Sequence, residues 1–146
     1  MTIAPDFREF AACLNGREVR YLIVGGYAVA FHGHPRYTKD LDVWIERSKP
    51  NVERLLNALD DFGFGSLDLT SDDFLQPDRV IQLGYPPLRI DLITSLTGVE
   101  FADCYDSRTP MIVEGTMLPF IGLECLRVNK RATGRHQDLA DLDNLE

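Results

Sequence analysis

Leu41, Val43 and Ile45 alternate with Asp40, Asp42, Trp44 and Glu46. Successive side chains on a strand point to opposite faces, so this stretch predicts a strand with one apolar and one polar face. Asp40 and Asp42 then share a face, their Cα atoms roughly 6–7 Å apart. Asp is disfavoured in strands. Two on one face need solvent or a cation. Upstream, Tyr21-Leu22-Ile23-Val24 is continuously apolar and ends in Gly25-Gly26, which suits a buried strand. Together these two segments constrain the chain to one that contains a sheet.

The rest of the chain supplies the cover. Asp6 to Asn15 reads as a helix with Phe7, Phe10, Ala11 and Leu14 on one face. A short helix is expected from Tyr27 to His32, stopped near Gly33 and Pro35. Pro50 opens another to about Asp61, with Val52, Leu55, Leu56 and Leu59 at helical spacing. Thr70 or Ser71 caps a short turn through Leu75. Arg79 to Leu83 and Leu88 to Ile93 read as a hairpin joined through Gly84-Tyr85-Pro86-Pro87. Met111 to Val113 and Leu118 to Ile121 are two more short strands, and helices follow over Leu123–Ala132 and Gln137–Leu145. Leu139, Leu142 and Leu145 form a stripe for the core or a dimer contact. The order predicts an α+β chain of one domain over residues 1–146, a sheet covered by helices.

The candidate chemistry lies at the strand ends. Hard divalent cations such as Mg²⁺ take carboxylate and phosphate oxygens. A carboxylate pair on one strand can hold two such ions at a phosphoryl-transfer centre. Asp91, between Ile90 and Leu92, is a third carboxylate if its strand neighbours that of Asp40; it would ligate a metal or accept the proton of an attacking hydroxyl. Gly25-Gly26 lets backbone approach a ligand closely, and a helix start offers N–H groups to an anion. Singly, these features read as a turn, a solvated strand face and a surface acid. Their order within the chain, with thirteen residues between Gly26 and Asp40, carries the argument. His32 and His34 read as loop histidines, and Trp44 as a cover for the sheet edge rather than a base-stacking platform.

Charge narrows the function. The formal net charge is −8, which argues against extended nucleic-acid binding, since that rests on neutralising phosphates with Lys and Arg. The basic cluster Arg127, Lys130, Arg131 and Arg135 is the local exception, and an acidic tail with Asp138, Asp141, Asp143 and Glu146 follows it. No apolar run approaches the ~20 residues that span a bilayer. Cys13, Cys104 and Cys125 are odd in number and widely spaced, which predicts reduced thiols in a cytoplasmic protein.

Val24-Gly25-Gly26, Asp40-Leu41-Asp42 and Ile90-Asp91-Leu92 together resemble the signature of the nucleotidyltransferase superfamily related to DNA polymerase β. Gly26-Tyr27-Ala28-Val29-Ala30, Arg36-Tyr37-Thr38-Lys39, Asn129-Lys130-Arg131-Ala132, Gly134-Arg135 and Asp138-Leu139-Ala140-Asp141-Leu142 are similar to the minimal bacterial members, among them the AbiEii-type toxins. The resemblance implies the nucleotidyltransferase fold, a mixed β-sheet flanked by helices. It implies that Asp40, Asp42 and Asp91 bind two Mg²⁺ ions and that Gly25 and Gly26 hold phosphate. Lys130 would stand near the triphosphate, with Arg36, Thr38 and Arg135 as helpers. The implied reaction passes a nucleoside monophosphate from ATP or another NTP to a hydroxyl on a protein or RNA, in a toxin–antitoxin or defence setting. Many larger members carry a further helical domain for the acceptor, whereas this sequence closes at Glu146; a partner protein or a homodimer is expected to supply that part. The alternatives are a small-molecule transferase of the aminoglycoside type and an inactive binding module of the same shape.

Overall fold

The structure, a computed structural model, describes residues 3–33, 38–85 and 88–145. Its centre is a six-stranded sheet. In chain order the strands are β1 (Tyr21–Val24), β2 (Asp40–Ile45), β3 (Val80–Tyr85), β4 (Leu88–Ile93), β5 (Thr109–Val113) and β6 (Thr116–Phe120). Their spatial order is β3-β4-β2-β1-β6-β5. The pairs β2–β4 and β1–β6 are parallel and the others antiparallel. The sheet is therefore mixed, as expected.

The helices are α1 (Pro5–Gly16), α2 (Gly25–Phe31), α3 (Lys49–Phe62), α4 (Ser71–Leu75), α5 (Phe101–Asp106), α6 (Leu123–Thr133) and α7 (His136–Leu145), with a 3-10 turn at Gly65–Leu67. Helix α3 starts where Ser48 Oγ accepts the Asn51 N–H, continues through Pro50 in its first turn, and stops at left-handed Gly63. At α4 the Asp73 carboxylate accepts the Thr70 N–H at 2.7 Å, the acid half of a capping box. Neither α5 nor the 3-10 turn is legible from periodicity, because each is too short to show a repeat. Helix α2 begins at Gly25 itself, two residues earlier than the sequence suggests, so the glycine pair forms its first turn.

One apolar cluster joins the elements. Leu41, Val43 and Ile45 of β2, Ile90 and Leu92 of β4, and Phe7, Phe10 and Leu14 of α1 are buried in it with Val52, Leu55 and Leu59 of α3. Helices α1 and α3 pack on each other. Aromatic pairs tie further elements together: Phe31 stacks on Phe120 at 4.3 Å, and Trp44 meets Phe101 of α5 edge-on at 5.2 Å. Trp44 is thus buried on a central strand and does not cover the sheet edge expected from its sequence, because β2 lies between β4 and β1. Asn51 is a polar member of the interior. Its Oδ1 accepts the Arg20 N–H at 2.7 Å, and its Nδ2 donates to Arg20 O at 3.0 Å and Glu46 O at 2.9 Å. That clamp holds the start of β1 against the end of β2. In the C-terminal stripe Leu142 and Leu145 are buried, but Leu139 is 47% exposed and does not belong to the core.

Candidate active site

The strand register builds the site. Parallel pairing of β2 with β4 sets Asp42 opposite Asp91 and Asp40 opposite Arg89. Antiparallel pairing of β1 with β2 sets Val24 opposite Asp42, which places Gly25 at the same sheet end. A one-residue slip would have sent these carboxylates into the core. The apolar sets Leu41/Val43/Ile45 and Ile90/Leu92 hold the register.

Gly25 meets Asp42 directly. Its φ is +68°, a left-handed conformation that favours glycine, and a Cβ there would lie 2.1 Å from Asp42 Oδ2. Gly25→Ala therefore combines backbone strain with displacement of a site carboxylate. It should lower stability by about 1–2 kcal/mol in a thermal melt. Gly25→Asn tolerates the left-handed backbone but keeps the clash, so equal losses in both variants would assign the cost to the contact with Asp42.

Arg89, which sequence reasoning passed over, belongs to the group. Its Nη2 stands 2.8 Å from Asp40 Oδ2 and 3.0 Å from Asp91 Oδ2. Its position two residues before Asp91, on the same strand face, was the available signal. Burial, then the charges of Asp91 and Asp40, push the Asp42 carboxyl up to about 6, against the opposing pull of Arg89 and Lys130. Asp91 Oδ1 is buried with no hydrogen-bond partner among the described residues, and so is Thr38 Oγ1 just before β2.

A cleft of about 490 Å³ opens beside Asp42, lined by Gly25, Asp42, Asn129, Lys130, Thr133 and Arg135 among others. Four of the residues expected from the sequence thus surround one space. Asp40 and Asp91 do not line it; Asp91 is the register partner of Asp42, and Asp40 stands two residues before Asp42 on β2. Gly26 lies in the first turn of α2. Arg36 and His34 lie outside the described residues. His32 Nε2 sits 2.7 Å from Ile121 O, a structural contact.

Lys130 is not a free cation. It is buried, with Nζ 3.2 Å from both Asp138 Oδ1 and Asp141 Oδ2. Arg135 Nε reaches Asp138 Oδ2 at 2.6 Å, and Arg127 binds Glu124 Oε1 and Leu145 O, each at 2.6 Å. The basic cluster is therefore largely neutralised by its own helix hairpin. Burial works to raise the Asp138 carboxyl, but hydrogen bonds from Arg135, Thr133 and Lys130 win and hold it well below the usual carboxylate range. Asn129 Nδ2 donates to Thr97 O at 2.9 Å, which fixes α6 to the segment after β4.

The donor set suits a hard divalent cation. Three carboxylates, one of them Asp91 with an unpartnered oxygen, face a single guanidinium, an excess of negative charge. Among the described residues no three His, Cys, Asp or Glu side chains already converge on one point. Arg89 holds an oxygen of Asp40 and of Asp91. A cation on those oxygens competes with Arg89.

A family model described as a nucleotidyltransferase of unknown function (DUF6036) matches residues 6–146. The chain belongs to that family. No functionally curated protein matches this family member. Among solved structures it is similar to a provisionally assigned nucleotidyltransferase from Thermotoga maritima, with a TM-score of 0.62 at 14% identity, over 97% of this chain and 93% of that one. It is also similar to an antigenic nucleotidyltransferase-like protein from Paracoccidioides brasiliensis, with a TM-score of 0.56 at 18% identity, over 98% of this chain and 77% of that one. At such identities the likeness is one of fold. This family member thus shares the overall fold of those nucleotidyltransferase-like neighbours. No helix among its described residues is long and apolar enough to cross a membrane.

Proposed function

We propose that this DUF6036 nucleotidyltransferase transfers a nucleoside monophosphate from an NTP to a hydroxyl on a protein or RNA. The observation that carries the reading is the register that sets Asp42 between Asp91 and Gly25 at the mouth of the cleft holding Lys130. Asp40, Asp42 and Asp91 would hold Mg²⁺, which when bound supplies charge stabilisation at the phosphate oxygens. Gly25 lets the triphosphate approach the backbone, and Lys130 with Arg135 would exchange contacts with Asp138 and Asp141 for contacts with the phosphates. Asp91 Oδ1 takes the proton of the attacking hydroxyl. The new bond forms to the α-phosphorus, and the bond to pyrophosphate breaks. The setting we favour, a toxin–antitoxin or defence pair, rests on the resemblance of the Gly26–Ala30 and Asn129–Leu142 segments to the small bacterial members.

The test is label transfer. With Mg²⁺ and each α-labelled NTP in turn, the protein should label a macromolecule in cell extract, and Asp40→Ala should remove at least ~99% of the signal. Absence of labelling with all four NTPs, or equal labelling by Asp40→Ala, overturns the reading.

A second reading has its own observation. A larger cavity of about 740 Å³ shares Ser95–Thr97 with the first cleft and is lined by Trp44 and Phe101, the acids Glu46, Asp78, Glu100 and Asp103, and Arg47. Aromatic walls with excess acid suit a small cationic acceptor. Transfer of label to an aminoglycoside rather than a macromolecule would select this alternative.

A further inference from the structure

The larger cavity also exposes chemistry that nucleotidyl transfer does not use. Cys104 of α5 and Cys125, in the first turn of α6, both line it. Ser107 joins them: its hydroxyl is 3.4 Å from Cys104 O and 3.6 Å from Cys125 Sγ. Both cysteines thus stand beside one hydroxyl and on one cavity. The segment before α6 presses on the end of α5, since a Cβ on Gly122 would lie 2.5 Å from Ser107 O. Two thiols that flank one hydroxyl, on closely packed elements, have a high effective concentration for each other.

We propose that Cys104 and Cys125 are a redox-active pair, which a peroxide converts to a disulfide stapling α5 to α6. The order of events follows from their surroundings. Cys104 is fully buried, and burial, Cys125, Asp103 and Glu100 hold its proton firmly. Cys125 is half-buried and opens on the cavity, so oxidation begins there. The Cys125 sulfur attacks a peroxide oxygen, the O–O bond breaks, and water leaves behind a sulfenic acid. The Cys104 sulfur then attacks the Cys125 sulfur. The S–O bond breaks, and the departing hydroxide takes the Cys104 proton as a second water. Two thiols are oxidised by two electrons in total, and one peroxide is reduced. Five residues beyond Cys125 on α6 stands Lys130, so the staple fixes the first turn of the helix that lines the candidate active site. Two reduced cysteines that merely fill a core would show none of this chemistry.

The experiment treats the folded chain with one equivalent of hydrogen peroxide and counts thiols in denaturant. The sequence has three cysteines, and the free thiols should fall to one, with full recovery in dithiothreitol. Tryptic peptides 90–108 and 109–127 should be found linked. The melting temperature should rise by roughly 5–10 °C, as a closed loop of about 20 residues predicts. Cys13→Ser should cross-link like the wild type, while Cys125→Ser should retain Cys104 as a free thiol. Three free thiols after treatment, a sulfinic Cys125 without a link, or dimers through Cys13 would each overturn the proposal. Because neither NTP nor Mg²⁺ is present, the outcome is independent of the proposed transferase activity.

Discussion

Asp42→Asn should make the metal-free protein more stable at pH 8 by about 2–3 kcal/mol, while removing divalent-cation binding. The stability term follows from the carboxyl being pushed from its ordinary 3.8 to about 6, first by burial and then by Asp91 and Asp40. A raised carboxyl favours the protonated fold. Its contribution is fully present below about pH 4 and is lost as pH rises through about 6. At pH 8 the ionised Asp42 therefore carries an unfavourable term of about 1.4 kcal/mol per pH unit of displacement. Asparagine keeps the shape and removes the charge. In chelator, the difference in chemical-denaturation stability between variant and wild type should grow from pH 4 to pH 7 and then level off. A flat difference would mean that Asp42 is not strained by its neighbours. Such a gain on removing a charged group is what a functional site predicts, because charges are gathered there for a ligand and not for the fold.

Lys130→Met has the opposite sign. Lys130 is buried between Asp138 and Asp141, which are 2% and 1% exposed. Methionine fills the space but leaves two buried carboxylates, one of them still bound by Arg135. Removing one partner of a buried ion pair costs about 3–5 kcal/mol. For a chain of this length that lowers the melting temperature by about 10 °C. Lys130→Met combined with Asp138→Asn and Asp141→Asn should recover most of the loss, because the uncompensated charges go as well. Failure to recover would place the cost in packing. NTP binding should be weakened in both variants, which separates the cation's role at the cleft from its role in the fold. Acid should also act on this network. The Asp138 carboxyl lies below its ordinary range, so its contribution is present above about pH 4 and declines as pH falls further. Asp42 and Asp138 thus impose opposite slopes on either side of pH 4.

Much of this was legible in the chain because it is local. The β2 alternation, the buried run of β1 and the Pro50 start of α3 are written in neighbouring residues, and those elements form where expected. Asp40 and Asp42 share a face because strand geometry allows nothing else. Short elements escaped. Helix α5 has six residues, too few to display a helical period, and it provides Phe101, the cover of Trp44.

The C-terminal motif was partly misleading. Lys130 and Arg135 stand out in sequence as cations suited to phosphate, and both do line the cleft. Yet each is held by an acid from α7. The turn at Gly134 folds α7 back on α6, and only then do Asp138 and Asp141 reach Lys130. Spacing along two separate helices does not reveal which faces meet.

The sequence by itself determined the elements and the facing of their side chains, since both follow from backbone geometry and from which residues must leave water. Tertiary structure alone decided partnership: that Asp91 lies beside Asp42, that Arg89 bridges Asp40 and Asp91, and that Lys130 is locked by Asp138 and Asp141. Those pairings depend on strand order, which sets Asp42 beside Asp91 across tens of positions, and on helix docking, which sets the faces that meet across the Gly134 turn. Local periodicity carries no record of such distances.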